Sequence, residues 1–77
     1  MEDWKNRLVK EALEVNERCV KYDYFTDKDE FRKLDLEVQD LMRKQKHAME
    51  LYLYFLVKRM ELYGIELPFT VNLEKKP

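Results

Sequence analysis

Gln45-Lys46-His47-Ala48-Met49-Glu50-Leu51-Tyr52-Leu53-Tyr54-Phe55-Leu56 is the stretch that decides the fold. It lies inside Leu36 to Tyr63, a segment without glycine or proline that reads as one long helix. Its middle is too apolar to leave a clean wet side. Leu51, Leu53, Phe55 and Leu56 point in several directions around a helix, and each forgoes roughly 1.5–3 kcal/mol if left in water. A single neighbouring helix cannot cover all four, so the segment predicts more than one neighbour and, most simply, other copies of the chain.

The surrounding composition bounds the answer. Seventy-seven residues make one domain at most, and domains of this size often need a partner or a staple. One glycine and two prolines point to long uninterrupted helices. The single cysteine, Cys19, cannot form an internal disulfide or a cysteine-based zinc cluster, and it reads as a small core residue in a reducing compartment. Charged residues make up 40% of the chain, yet the net charge is −1. With mixed signs there is no overall field toward nucleic acid or acidic lipid, so direct DNA binding is not expected. Met1-Glu2-Asp3-Trp4 lacks the basic start of a secretory signal, and the apolar run Leu51 to Val57 is far short of the roughly 20 residues that cross a bilayer. The expectation is a cytoplasmic, soluble protein.

Working back from the long helix, Asp3 to about Tyr24 reads as a first, shorter helix with Asp3 as its cap. Trp4, Leu8, Val15, Cys19 and Tyr22 form one apolar stripe. Val9, Leu13 and Val20 form a second beside it, with Ala12 between. One stripe can face the long helix; the other needs another copy. The remaining face carries Arg7, Lys10, Glu14, Arg18 and Lys21. Its plain reading is a solvated face with helical ion pairs. Its sharper reading is a ligand site in which Arg18 and Lys21 hold a phosphate or carboxylate beside Tyr22 and Tyr24.

The polar cluster Thr26-Asp27-Lys28-Asp29-Glu30 predicts the corner. Thr26 or Asp27 is the expected cap of a short helical turn from about Lys28 to Leu34, with Asp27 and Glu30 as a loose capping box and Asp35 as the next cap. Phe31 and Leu34 would close the open end of the hairpin. A straight helix from Asp29 to Tyr63 is the alternative.

Along the long helix, Leu34, Val38, Leu41, Gln45, Tyr52, Leu56, Arg59 and Tyr63 lie close to one line. Met42, Met49, Leu53 and Met60 flank it on one side; Ala48, Phe55, Leu51 and Leu62 flank it on the other. Gln45 and Arg59 are polar members of this line, and Gln45 could fix register as a single polar residue does in a coiled coil. Gly64 is a natural helix stop, with Pro68 barring continuation. The expected architecture is all-α: a helical hairpin domain over 1–64, with a short helical turn between two unequal helices, self-associating into a bundle. Residues 65–77 are expected as an extended tail, with Leu67, Phe69, Val71 and Leu73 as anchors. The interface between copies is expected at Trp4, Val9, Leu13 and Val20 of the first helix. The long helix would add Gln45, Met49, Leu51, Tyr52, Leu53, Phe55, Leu56 and Arg59.

Signs of catalysis are weak. Glu11-x-x-Glu14 and Glu37-x-x-Asp40 have the paired-carboxylate spacing of helical nucleoside-triphosphate pyrophosphatases, which hold magnesium between two helices. That chemistry requires all four carboxylates to face one cleft, and here they should be exposed. His47 stands alone on the outer side of the long helix, away from Cys19, and the chain contains no serine. No cofactor, metal or catalytic residue is expected.

The run Leu13, Arg18, Lys21-Tyr22, Phe25, Phe31, Leu34, Leu41-Met42, Gln45, Met49, Tyr52, Leu56 and Arg59 resembles a family of small helical proteins of tailed bacteriophages, including relatives in the crAss-like phages. The resemblance spans most of residues 4–60. It implies an accessory protein acting inside the host cell without catalysis. Such a protein would counter host defence by binding a host protein through an oligomeric helical surface, or act as a sponge for a nucleotide immune signal held between subunits.

Overall fold

The chain lays down three helices in order: α1 over Asp3–Thr26, α2 over Asp29–Arg32 and α3 over Leu36–Leu62. They belong to a computed structural model that describes residues 3–67. The expected tail anchors Phe69, Val71 and Leu73 lie outside the described residues. Asp3 sits in the first turn of α1, where a carboxylate complements the positive helix end. α1 and α3 pack against each other as a hairpin 46 × 20 × 18 Å in extent, the proportions of two helices side by side.

Hydrogen bonding at the corner departs from the expected capping. Lys28 and Asp35 occupy the N-cap positions of α2 and α3, and neither makes a side-chain cap bond. The Thr26 hydroxyl donates instead to the Asp23 carbonyl, one turn back in α1. Gln39 does the joining. Its Nε2 donates to the carbonyls of Arg32 at 3.1 Å and Leu34 at 2.8 Å. The first is one of the free acceptors that a helix end leaves behind, and the second lies in the bend between α2 and α3. Gln39 is buried, and this pair of bonds is what makes its burial tolerable. Phe31 is fully buried below it, edge-on to Phe25 at 5.8 Å, and Leu34 is half-buried.

α3 stops where glycine allows it to. Gly64 takes φ +68°, the left-handed conformation that other residues avoid. The Ile65 N–H reaches the Met60 carbonyl at 2.9 Å and the Gly64 N–H reaches that of Glu61 at 3.1 Å, the two bonds of a Schellman ending. Ile65 then packs on the core.

The core joins Leu8, Ala12, Val15 and Cys19 of α1 to Leu53, Leu56, Val57 and Met60 of α3, with Val9, Met49 and Ile65 against it. Two sequence expectations change here. α1, expected to end at about Tyr24, runs on to Thr26 and is nearly as long as α3, 24 residues against 27. Leu53 and Leu56, expected between copies, are sealed inside the chain's own core. The line through Val38, Leu41, Gln45, Tyr52 and Arg59, of which Gln45, Tyr52 and Arg59 are expected between copies, is exposed, and the flanking stripe of Met49, Leu53 and Met60 faces α1. The small Ala12 and Cys19 on α1 make room for the bulky side chains of that stripe.

Candidate functional site

The two long edges of the hairpin differ in chemistry. Along one, the Tyr22 hydroxyl donates to Gln45 Oε1 at 3.3 Å, and Trp4 meets Tyr63 edge-on at 4.6 Å. Beside the Tyr22–Gln45 bond an open groove of about 210 Å³ is lined by Lys21, Tyr22, Phe25 and Met42. Along the other edge, Lys46 forms a salt bridge with Asp23. A polar recess of about 370 Å³ there is lined by Thr26, Asp27, Arg43, Lys46, His47 and Glu50.

Of the four expected ligand residues, the groove unites two, Lys21 and Tyr22. Arg18 is exposed and lies one helical turn before them, at the i+3 and i+4 spacing that makes side chains neighbours. Tyr24 does not join. Residues two apart on a helix diverge by about 200°, and Tyr24 is exposed with Lys28 Nζ over its ring at 4.9 Å. Phe25 and Met42 take its place. Phe25 was legible, being three residues after Tyr22 on the same side. Met42 was not, because its position depends on how α3 lies across α1.

The groove has an apolar floor, a phenol rim and an ammonium. Such a surface stacks a flat ring and holds an anion beside it. Arg18 adds a guanidinium suited to phosphate. Its volume is below the roughly 300–1,000 Å³ of complete small-molecule sites.

The second edge is internally matched. The hydrogen bond from Lys46 to Asp23 raises the ammonium above its ordinary pKa, against the opposing effect of burial. Burial first, then the carboxylates of Glu50 and Asp23, push the Cys19 thiol up. A thiol held in its protonated form is a poor nucleophile. His47 is exposed on the recess.

The carboxylates of the pyrophosphatase-like spacing do not converge. Glu14, Glu37 and Asp40 are exposed, and Asp40 pairs with Lys44 at 2.9 Å. Among the described residues no three histidine, cysteine or acidic side chains are grouped to hold a metal ion.

The residues expected between copies divide by location. Leu13, Val20, Tyr52 and Phe55 are exposed apolar side chains, as is Trp4 at 38%. Gln45 and Arg59 are exposed, and Val9, Met49 and Leu51 are half-buried. Among the described residues no helix is long and apolar enough to cross a membrane.

A family model described as Sequestin matches residues 2–62, a span that contains all three helices, both edges and the groove. Neither the curated proteins nor the solved structures give a match.

Proposed function

The chain belongs to the Sequestin family, and from that premise we propose that it is a non-catalytic binding protein that withdraws a nucleotide signal from circulation. The family's name denotes sequestering, which is stoichiometric binding without turnover. The observation that carries the choice of ligand is the groove of Lys21, Tyr22, Phe25 and Met42 with Arg18 one turn away. Tyr22 and Phe25 offer ring faces to a base, and Lys21 and Arg18 offer charge to its phosphates. The groove is open, and a second copy of the chain closes it, so the sequestering unit is a homo-oligomer. In the phage setting that the sequence resemblance implies, the ligand is an immune signal of the host and the site of action is the host cytoplasm.

A second reading, the covering of a host protein, draws on Leu13 and Val20, which are exposed on α1. Native mass spectrometry of the protein taken from infected cells separates the two. A co-purifying nucleotide supports the first reading; a stable complex with a host protein and no nucleotide supports the second. Lys21→Glu with Tyr22→Ala is expected to weaken nucleotide binding at least about tenfold, a loss of about 1.4 kcal/mol. Unchanged affinity in that variant rejects the groove.

A further inference from the structure

α3 carries a second pattern that the hairpin leaves unused. Leu41, Ala48 and Phe55 recur every seven residues, and so do Val38, Gln45, Tyr52 and Arg59; the two sets interleave at spacings of three and four. That is the a/d repeat of a coiled coil. The repeat ends at Leu62, which is 86% exposed. It lies about a third of a turn from the stripe that packs on α1. Its apolar members are open, with Leu41 55%, Tyr52 45% and Phe55 57% exposed. A seam spanning the helix, roughly 40 Å at 1.5 Å per residue, is long and self-complementary, which selects a second copy of α3 as its occupant.

We infer that α3 pairs antiparallel with α3 of a second copy along this seam, in the register that sets Gln45 against Ala48 of the partner subunit. A parallel pair would stack Arg59 on Arg59 of the partner subunit, two like charges in the last turn of the seam. In the antiparallel register, Val38 meets the partner subunit's Phe55 and Leu41 meets the partner subunit's Tyr52. The small Ala48 gives the Gln45 amide room. On the flank, Glu37 meets the partner subunit's Lys58. Lys58 is exposed, and the contacts it would exchange for that pair are long ones, to Glu61 at 3.4 Å and over the Tyr54 ring at 5.4 Å. Sliding the helices to the other antiparallel register would put Lys44 against the partner subunit's Lys58, so charge selects one register over the other.

The pairing has a consequence for the groove. Met42 and Met49 flank the seam on the side toward α1, and in an antiparallel coiled coil the matching flanks face each other. The two α1 helices therefore stand on the same side of the paired α3 helices, and the two Lys21–Tyr22 grooves open into one shared trough. The seam itself stands on the repeat and the charges, without the nucleotide.

Sedimentation equilibrium of the full chain, free of nucleotide, should give a dimer or a multiple of it. Phe55→Glu should raise the dissociation constant at least about tenfold with the helical circular dichroism intact. Glu37→Lys and Lys58→Glu should each weaken the dimer, and the two together should restore it. Glu37→Cys mixed with Lys58→Cys should form a covalent dimer on oxidation, which neither forms alone. A chain that stays monomeric at millimolar concentration leaves the seam to another occupant and overturns the inference. So does self-cross-linking of Val38→Cys, a seam position that meets its own copy only in a parallel pair, or a double charge reversal that fails to restore a dimer weakened by each single one. Because no nucleotide is present, a failed dimer leaves nucleotide binding to be judged separately, and failed binding leaves the seam untouched.

Discussion

Leu53 and Phe55 stand two residues apart on α3 and end in opposite surroundings, the first 1% exposed and the second 57%. Both are large and apolar, and both would lose free energy in water. Hydrophobicity therefore does not decide between them. α1 decides, because it presents a single narrow stripe of Leu8, Ala12, Val15 and Cys19, and only one side of α3 can meet it. The buried side, Met49, Leu53, Leu56 and Met60, keeps the same alternation of three and four as the open side, so the two differ in the partner they meet and not in period.

The sharpest way to break this comparison is to truncate both residues. Leu53→Ala should cost about 2–5 kcal/mol of chain stability, the range for a buried leucine that leaves a cavity. Phe55→Ala should stay within about 0.5 kcal/mol when measured at high dilution, as exposed substitutions do. Urea denaturation of both variants at low protein concentration checks the difference. Equal losses would mean that Phe55 is packed within its own chain.

The two glutamines sharpen it at a smaller scale. Gln39 is buried and donates two bonds to the end of α2, whereas Gln45 is exposed and accepts one from Tyr22. Gln39→Ala leaves the carbonyls of Arg32 and Leu34 without that donor and should cost about 1–3 kcal/mol. Gln45→Ala should change the stability of the isolated chain by less than about 0.5 kcal/mol. Amide hydrogen exchange at Leu34 and Phe31 should accelerate in the first variant only.

The same pairs explain what could be read in advance. The helices, the corner and the stop at Gly64 were legible because each rests on local chemistry: the absence of glycine and proline, a polar cluster, a left-handed conformation. The all-helical hairpin followed from those. Which side of α3 is buried was not legible, because apolar residues cover most of its circumference and the choice depends on Ala12 and Cys19 across the gap. Gln39 escaped notice for a related reason. Its partners are carbonyls five and seven residues back, and they point at it only after the chain has turned. Around the groove, Lys21 and Tyr22 could be read as neighbours along α1, Tyr24 lies apart because residues two apart along a helix diverge by about 200°, and Met42 needed the second helix.

The smallest expected effect lies at the Asp23–Lys46 edge, and it has a defined pH sign. The Cys19 thiol is held above its ordinary value of 9.0 by burial, then by Glu50 and Asp23. Above 9.0 the unfolded chain sheds this proton before the folded one does, so stability should fall as pH rises past that value. Lys46 is held above 10.5, first by its hydrogen bond to Asp23. That contribution is intact below 10.5 and disappears as pH rises through the higher folded value. Thermal melts should therefore show a plateau through neutrality and two descending limbs in alkali. Cys19→Ala should flatten the first. Asp23→Asn should flatten the second, while costing no more than about 1 kcal/mol at neutral pH, the usual range for a partly exposed ion pair. Parent and variant curves that fall in parallel through both limbs would show that the edge is held by packing and that the ion pair contributes nothing to it. Divergence above 10.5 alone would assign the closure of this edge to Lys46.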